Sequence, residues 1–324
     1  MHYRVLGKTG LNVSLLGLGT GGPSSLGQSA NLALPEQIAL IRRCFDLGVN
    51  FFDTSSRYGK SEEILASGLA GMRRESYVVC TKWSAAGSWS PQGIGGEDGP
   101  LQEDPEALSR AVEESLRRLR TDYIDILQFH GLRCEQYLEV VERFGPVMER
   151  LRQQGKIRFN GFSERFIADP KHEVVTLALR SHPDLWDTVM LKYGILNQYA
   201  AKEALPLALK SQVGVVNMAA VRIKLPRKDL LEALIREWKE RGLISGDCVP
   251  DTDPLGWLVR DGVTSVIGAG YKFAADHPAI GTVLTGTSSQ AHLAENAAAL
   301  VEPYLPESDK QRLSGLFGAI GEYA

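Results

Sequence analysis

Short apolar runs rich in β-branched residues alternate with longer amphipathic segments along most of this chain. Repeated βα units over a parallel sheet demand such an alternation, because each strand is buried on both faces and each helix on one. Candidate strands fall at residues 14–19, 49–53, 77–82, 123–130, 157–162, 188–193, 214–218 and 282–284. Eight parallel strands close into a (β/α)8 TIM barrel, and 324 residues are enough to build one. No stretch rich in Pro, Gly or Ser is long enough to act as an interdomain linker, so one barrel domain over residues 1–324 is expected.

Helix signals fit between the strands. In "LPEQIALIRRCFDLG", Pro35 suits a first helical turn, where its missing N–H costs nothing, and Gly48 suits the left-handed exit. Asp104 is a candidate N-cap ahead of Pro105, and Leu108, Val112, Leu116 and Leu119 form one apolar stripe behind it. Pro206 marks the start of a further helix. Three regions break the rhythm. "YRVLGKTGLNVS" alternates around a Lys-Thr-Gly turn and predicts an N-terminal β-hairpin. Residues 84–104 form a long Gly-rich segment, and residues 221–254 combine loop with a charged helical stretch. Both follow strands, so both are expected as long loops at the C-terminal face, where a barrel builds its active site.

Charge and composition narrow the function. Lys+Arg 36 against Asp+Glu 39 leaves a net charge of -3 with no basic stripe, which argues against nucleic acid and membrane partners. The N-terminal run lacks the charged-then-apolar pattern of a secretory signal, and no apolar run reaches the ~18 residues of a span, so an intracellular, cytoplasmic protein is expected. Cys44, Cys80, Cys134 and Cys248 form no CxxC pair and the six histidines no HxxxH or HExxH frame; no metal site is expected.

The chemistry gathers at predicted strand ends. Asp53, Lys82 and His130 end the second, third and fourth strands, and Tyr58 lies in the loop after the second. Read singly, Asp53 caps a turn, Lys82 lays its stem along Trp83, His130 is a structural histidine and Tyr58 a surface aromatic. Read together, they converge on one rim of a closed barrel. A free tyrosine titrates near ~10 and needs a neighbouring cation to serve as an acid or base at neutral pH. Lys82 would be that cation, Asp53 would hold it charged, and His130 would hydrogen-bond the same carbonyl oxygen. With no metal motif and no activated Ser or Cys, a nicotinamide hydride is the natural source of electrons. No GxGxxG follows the first strand, and "GLGTGG" is only an out-of-frame echo of it. The better phosphate site is "TVLTGTSSQAHLAEN", where Gly286, Thr287 and Ser288 lead into a helix capped by Ser288 or Ser289; the same residues also make an ordinary strand-to-helix cap.

These motifs resemble the aldo-keto reductase superfamily, NAD(P)-dependent barrel oxidoreductases. The likeness runs from "LGKTGLNVSLLGLGT" through "GVNFFDTSSRYGKSEEILASGLAG", "YVVCTKW", "LRTDYIDILQFHG" and "LRQQGKIRFNGFSE" to "TVLTGTSSQAHLAEN". It implies a catalytic tetrad of Asp53, Tyr58, Lys82 and His130, with Tyr58 as general acid in reduction and general base in oxidation. It implies cofactor contacts from Gly19, Thr20, Ser163, Gly286, Thr287, Ser288 and Ser289, with Glu295 and Asn296 near the adenine. The pattern is most similar to the sugar and aldose dehydrogenase branch, which includes L-galactose and D-threo-aldose dehydrogenases. The implied substrate is a carbonyl compound or alcohol of sugar type, and the polar, Trp-bearing segment 84–104 is a candidate to contact it.

The chain also departs from the family pattern. Ser163-Glu164 stands where Ser-Asn often touches the carboxamide, Met190 where a Gln commonly follows, and Met218 where an aromatic often stacks on the nicotinamide. Ser289, Gln290 and His292 occupy the segment where NADP(H) users place Arg or Lys, so the reading tilts toward NAD(H) or dual use. Two other functions stay open at this point: a Schiff-base barrel aldolase using Lys82, and a cofactor-binding regulatory subunit without catalysis.

Overall fold

The computed structural model describes residues 1–86, 101, 104–322 and 324. Most of segment 84–104 therefore lies outside the described residues. The chain opens with an antiparallel hairpin, β1 (Tyr3–Val5) and β2 (Asn12–Ser14), joined by a 3-10 turn over Gly7–Thr9 and by Gly10 at φ 70°. Eight parallel strands follow: β3 (Leu16–Gly19), β4 (Phe51–Asp53), β5 (Val78–Trp83), β6 (Ile124–Leu132), β7 (Ile157–Glu164), β8 (Thr188–Lys192), β9 (Gly214–Met218) and β10 (Ile280–Thr285). They pair in chain order, and β10 closes onto β3 to complete the barrel.

Between them run α1 (Leu34–Asp46), α2 (Ser61–Leu69), α3 (Glu106–Leu119), α4 (Cys134–Gln153), α5 (Glu173–Ser181), α6 (Ala204–Lys210), α7 (Lys228–Glu240) and α8 (Val266–Asp276); α9 (Gln290–Ala299) and α10 (Glu307–Phe317) follow the last strand. The local signals act as their chemistry dictates. Pro35 sits in the first turn of α1 and Gly48 exits at φ 83°. Asp104 Oδ1 accepts the Glu106 N–H at 2.9 Å at the start of α3, and Leu108, Val112, Leu116 and Leu119 are buried. Pro206 lies further in than expected, as the third residue of α6.

Every expected strand except 214–218 differs from the observed one by one or two residues at an end, and the first and last differences bear on the site. The expected run 14–19 is split: Ser14 ends the hairpin, and the barrel strand starts at Leu16. Ser14 is tied to Asn50, whose Oδ1 accepts the Ser14 N–H at 2.6 Å while Ser14 Oγ accepts the Asn50 N–H at 3.0 Å. That exchange bends the chain between sheets. At the other end, β10 covers Ile280–Thr285, wider than the expected 282–284; residues 286–289 form the connection, and of the two candidates Ser289 caps α9.

The hairpin plugs the N-terminal end of the barrel. Leu6, Leu11 and Val13 pack with Phe51, Cys80, Ile126, Met190 and Val216 in an apolar core that fills the interior. A Cβ on Gly214 or Gly281 would lie 2.6 or 2.5 Å from the Leu6 side chain, so these glycines form its seat. With that end sealed, ligand access is left to the C-terminal ends of the strands.

Candidate active site

Barrel closure brings the four dispersed residues together. Asp53 is the last residue of β4, Lys82 lies near the end of β5, and His130 lies on β6. Lys82 is 1% exposed and its Nζ donates to Asp53 Oδ1 and, at 2.8 Å, to the Thr54 carbonyl. It therefore does not snorkel, and Asp53 commits its carboxylate to an ion pair instead of a turn. The Lys82 ammonium is 5.3 Å from the Tyr58 ring centroid, and the phenol oxygen is 3.3 Å from His130 Nε2. On the far side of the imidazole, Nδ1 is 3.4 Å from Ser55 Oγ.

Burial alone would discharge this lysine. The negative charge of Asp53, with Tyr58 next, outweighs that loss of hydration and moves Lys82 upward from its ordinary value. His130 moves the other way: burial, then the positive charges of Lys82 and Arg57, hold it well below the usual imidazole range. The rim therefore presents a fixed ammonium, a neutral imidazole and a phenol around one point.

That point opens into a cavity of about 610 Å³, lined by Asp53, Tyr58, Lys82 and His130 and by five of the expected cofactor residues, Gly19, Ser163, Gly286, Thr287 and Ser288. Volumes of this order suit small-molecule and cofactor sites. The other four expected contacts do not line the cavity. Thr20 is buried, its N–H donating to the Asp53 carbonyl at 2.9 Å. Ser289 turns its hydroxyl back to cap the His292 N–H at 3.3 Å, and Asn296 donates to Thr285 Oγ1 at 2.9 Å, pinning α9 to the strand end. Glu295 is exposed on α9.

The donor set fits a dinucleotide. Ser24 Oγ on the cavity wall is buried without a hydrogen-bond partner, as is Oγ1 of Thr20, which follows the lining residue Gly19 in the chain, and Gly286 lines the approach to the N-terminus of α9. Gly21 has a different use. A Cβ there would sit 2.5 Å from the Tyr58 ring, so the glycine-rich "GLGTGG" serves the placement of the phenol.

Several wall residues escaped the sequence reading. Arg165, Phe166 and Ile167 follow β7; Arg222, Ile223 and Arg227 follow β9; Tyr271 reaches in from α8. Apart from Tyr271, their one sequence signal is a place in the loop that follows a barrel strand. Ile223 is held at φ 67°, a costly conformation for a β-branched side chain. Met190 and Met218, both noted as departures, line the cavity as well.

Comparison with known proteins agrees with this geometry. The model of the Aldo/keto reductase family matches residues 15–316. L-galactose dehydrogenase of Arabidopsis thaliana is 30% identical, with 97% of this chain and 92% of that protein covered. The NADH-specific methylglyoxal reductase of Escherichia coli is 30% identical over 81% of this chain and 76% of that protein. Among solved structures, aldo-keto reductase AKR11C1 from Bacillus halodurans in its holo form superposes with a TM-score of 0.73 at 27% identity, covering 100% of this chain and 98% of that one. A barrel closed in chain order, a cavity at its C-terminal rim and a family match over nearly the whole length lead to one conclusion: the chain belongs to the aldo/keto reductase family, oxidoreductases that use NAD(P)(H).

Proposed function

We propose that this protein interconverts a carbonyl compound and its alcohol, with Tyr58 as proton donor in reduction and proton acceptor in oxidation. The observation that carries the reading is the meeting of Lys82, Tyr58 and His130 at one cavity wall, with the phenol oxygen 3.3 Å from the imidazole and the ammonium 5.3 Å from the ring. An ammonium beside a phenol favours the phenolate left behind when the proton goes to substrate. Asp53 and the Thr54 carbonyl hold that ammonium in place. Neutral His130 can donate to the substrate oxygen without competing for its proton, which aligns the carbonyl carbon. The nicotinamide cofactor, when bound, supplies the hydride. Gly19, Ser163, Gly286, Thr287 and Ser288 would hold it along the wall, with Thr20, Ser289, Glu295 and Asn296 as outer support.

The upward shift of Lys82 leaves the Schiff-base reading without support, since a paired ammonium is not a nucleophile. Replacing Tyr58 with Phe keeps the ring against Gly21 and removes the proton. Turnover should fall by ~10²-fold or more while calorimetric cofactor affinity stays within about threefold. Undiminished turnover in that variant would remove Tyr58 from the mechanism. Cofactor binding by the wild type with no turnover across a broad panel of sugars, aldehydes and ketones would instead support the regulatory role.

The substrate class we infer is a sugar-type aldose or its lactol. The support is the 30% identity to a plant L-galactose dehydrogenase over nearly the full chain. For the cofactor we infer NAD(H) or dual use. The start of α9 carries Ser289, Gln290 and His292 in place of a fixed cation, and a relative at 30% identity is named NADH-specific. Initial rates with the two cofactors at equal concentration decide the point; a strong NADP(H) preference overturns it.

A further inference from the structure

The cavity wall carries a charge opposite in sign to that of the chain. The protein has a net charge of -3, yet among the described lining residues Lys82, Arg165, Arg222 and Arg227 are cationic and only Asp53 and Glu164 acidic. Both acids are already engaged. Asp53 holds Lys82, while Glu164 accepts the Lys192 N–H at 2.8 Å and lies 2.7 Å from His172 Nδ1. Arg227 is exposed and paired with Asp229. Arg222 differs from it: its Nε is buried without a hydrogen-bond acceptor, and no carboxylate of a described residue pairs with it. The guanidinium carbon lies 5.6 Å from the Phe166 ring centroid, and the Lys192 ammonium lies 5.5 Å from the same ring. A ring face attracts the positive charge but does not satisfy N–H groups in the guanidinium plane.

The backbone fixes this arginine in place. Ala219 and Ile223, on either side of it, are left-handed at φ 57° and 67°, a conformation disfavoured for both and most for the β-branched residue. A Cβ on Gly194 would lie 2.4 Å from the Ala220 carbonyl oxygen, so the loop after β9 packs directly against the chain leaving β8. A charged donor buried without an acceptor is destabilising, and its place on a strained, closely packed loop at a cavity wall calls for a ligand.

The chemistry of that ligand follows from the free edge. Nε and the neighbouring Nη present two parallel N–H groups, spaced for two oxygens of a carboxylate or a phosphate. Position separates substrate from cofactor. Arg222 leaves β9 and leans toward Phe166, which follows β7, whereas Gly286, Thr287, Ser288 and the start of α9 follow β10, on the opposite side of β9.

On the oxidoreductase reading above, we propose that Arg222 takes the oxyanion of a substrate, so that the enzyme prefers carbonyl compounds or lactols that carry a carboxylate or phosphate away from the reacting carbon. Arg222 is then a specificity determinant, and neutral aldoses are the poorer members of the substrate class.

The test compares pairs that differ at one end: D-glucuronate with D-glucose, and glyceraldehyde 3-phosphate with glyceraldehyde. In the wild type the charged member of at least one pair should have a kcat/KM about 10-fold or more above that of its neutral counterpart, and the pair that responds names the anion. In Arg222→Gln that ratio should fall to within about threefold of one, through KM, while calorimetric NAD affinity stays within about threefold. Calorimetry with and without NAD scores the anion independently of turnover. D-gluconate against D-sorbitol, or glycerol 3-phosphate against glycerol, should show a preference of about 10-fold for the charged ligand that Arg222→Gln loses. A wild type indifferent to the anion in every comparison overturns the proposal with no variant required, and so does a preference that survives in folded Arg222→Gln. A matching loss of NAD affinity in that variant assigns Arg222 to the cofactor phosphates and overturns it as well. Failure of the wild type to bind NAD or to turn over any probe is a separate result, which removes the oxidoreductase reading, and the calorimetric pairs without NAD still decide the anion.

Discussion

Asp53, Lys82 and His130 were legible because a barrel turns the ends of successive strands into neighbours, so a polar residue closing an apolar run is already a coordinate. Their protonation was not legible, since it depends on burial and on partners. His130, pressed well below 6.5 by burial and two cations, should stay neutral throughout the working range. The pH profile of carbonyl reduction should accordingly show no inflection near 6.5 that disappears in His130→Gln, and finding one would contradict the neutral imidazole. Lys192 offers a test of stability. Burial first, then Arg222 and Lys224, lower it from 10.5 to about 7. Between those values the unfolded chain binds a proton that the folded chain releases, so stability must rise with pH through that window. The thermal midpoint should climb between pH ~7 and ~8.5, and Lys192→Met should flatten the climb. The Glu164–His172 pair was illegible for another reason: a histidine eight positions on becomes a partner only when the loop folds back in a left-handed turn.

Helices were read from punctuation, and most of it is where it should be: Pro35 and Gly48 around α1, Asp104 before α3 and Ser289 before α9, with Pro206 two residues inside α6. Contacts between elements carried no such marks. Gly68 on α2 is the clearest case, because a Cβ there would lie 2.6 to 2.7 Å from Ile41 of α1, including 2.7 Å from its Cβ, which cannot swing away. Alanine is favoured over glycine in a helix by ~1 kcal/mol. Gly68→Ala should nevertheless destabilise by about 1–3 kcal/mol, read as a lower urea midpoint at constant slope. A midpoint that rises would mean α1 and α2 yield more readily than this packing allows. The loops after β7 and β9 belong here too. The second lies in the irregular region 221–254 of the sequence reading and the first carried no signal there; which of their residues face the cavity depended on where strand ends release the chain.

For the molecule as a whole, the division between a sealed end and an open end decides where chemistry can occur. Leu6 is fully buried in the seat made by Gly214 and Gly281. Leu6→Ala should cost ~2–5 kcal/mol in chemical denaturation while leaving the Michaelis constant within about twofold, because the plug lies across the barrel from the cavity; a large change in substrate affinity would show that the two ends are coupled. By itself, the sequence determined the architecture and the identity of the four central residues. The βα period counts the strands, and burial on both faces writes each strand as an apolar run whose last residue is conspicuous. Only the tertiary structure decided which expected cofactor contacts reach the cavity, that the early glycines make room for a phenol, and that His172 turns back to pair with Glu164. Those outcomes depend on distances across the closed sheet and on exclusion of water, quantities that no local pattern along a chain contains.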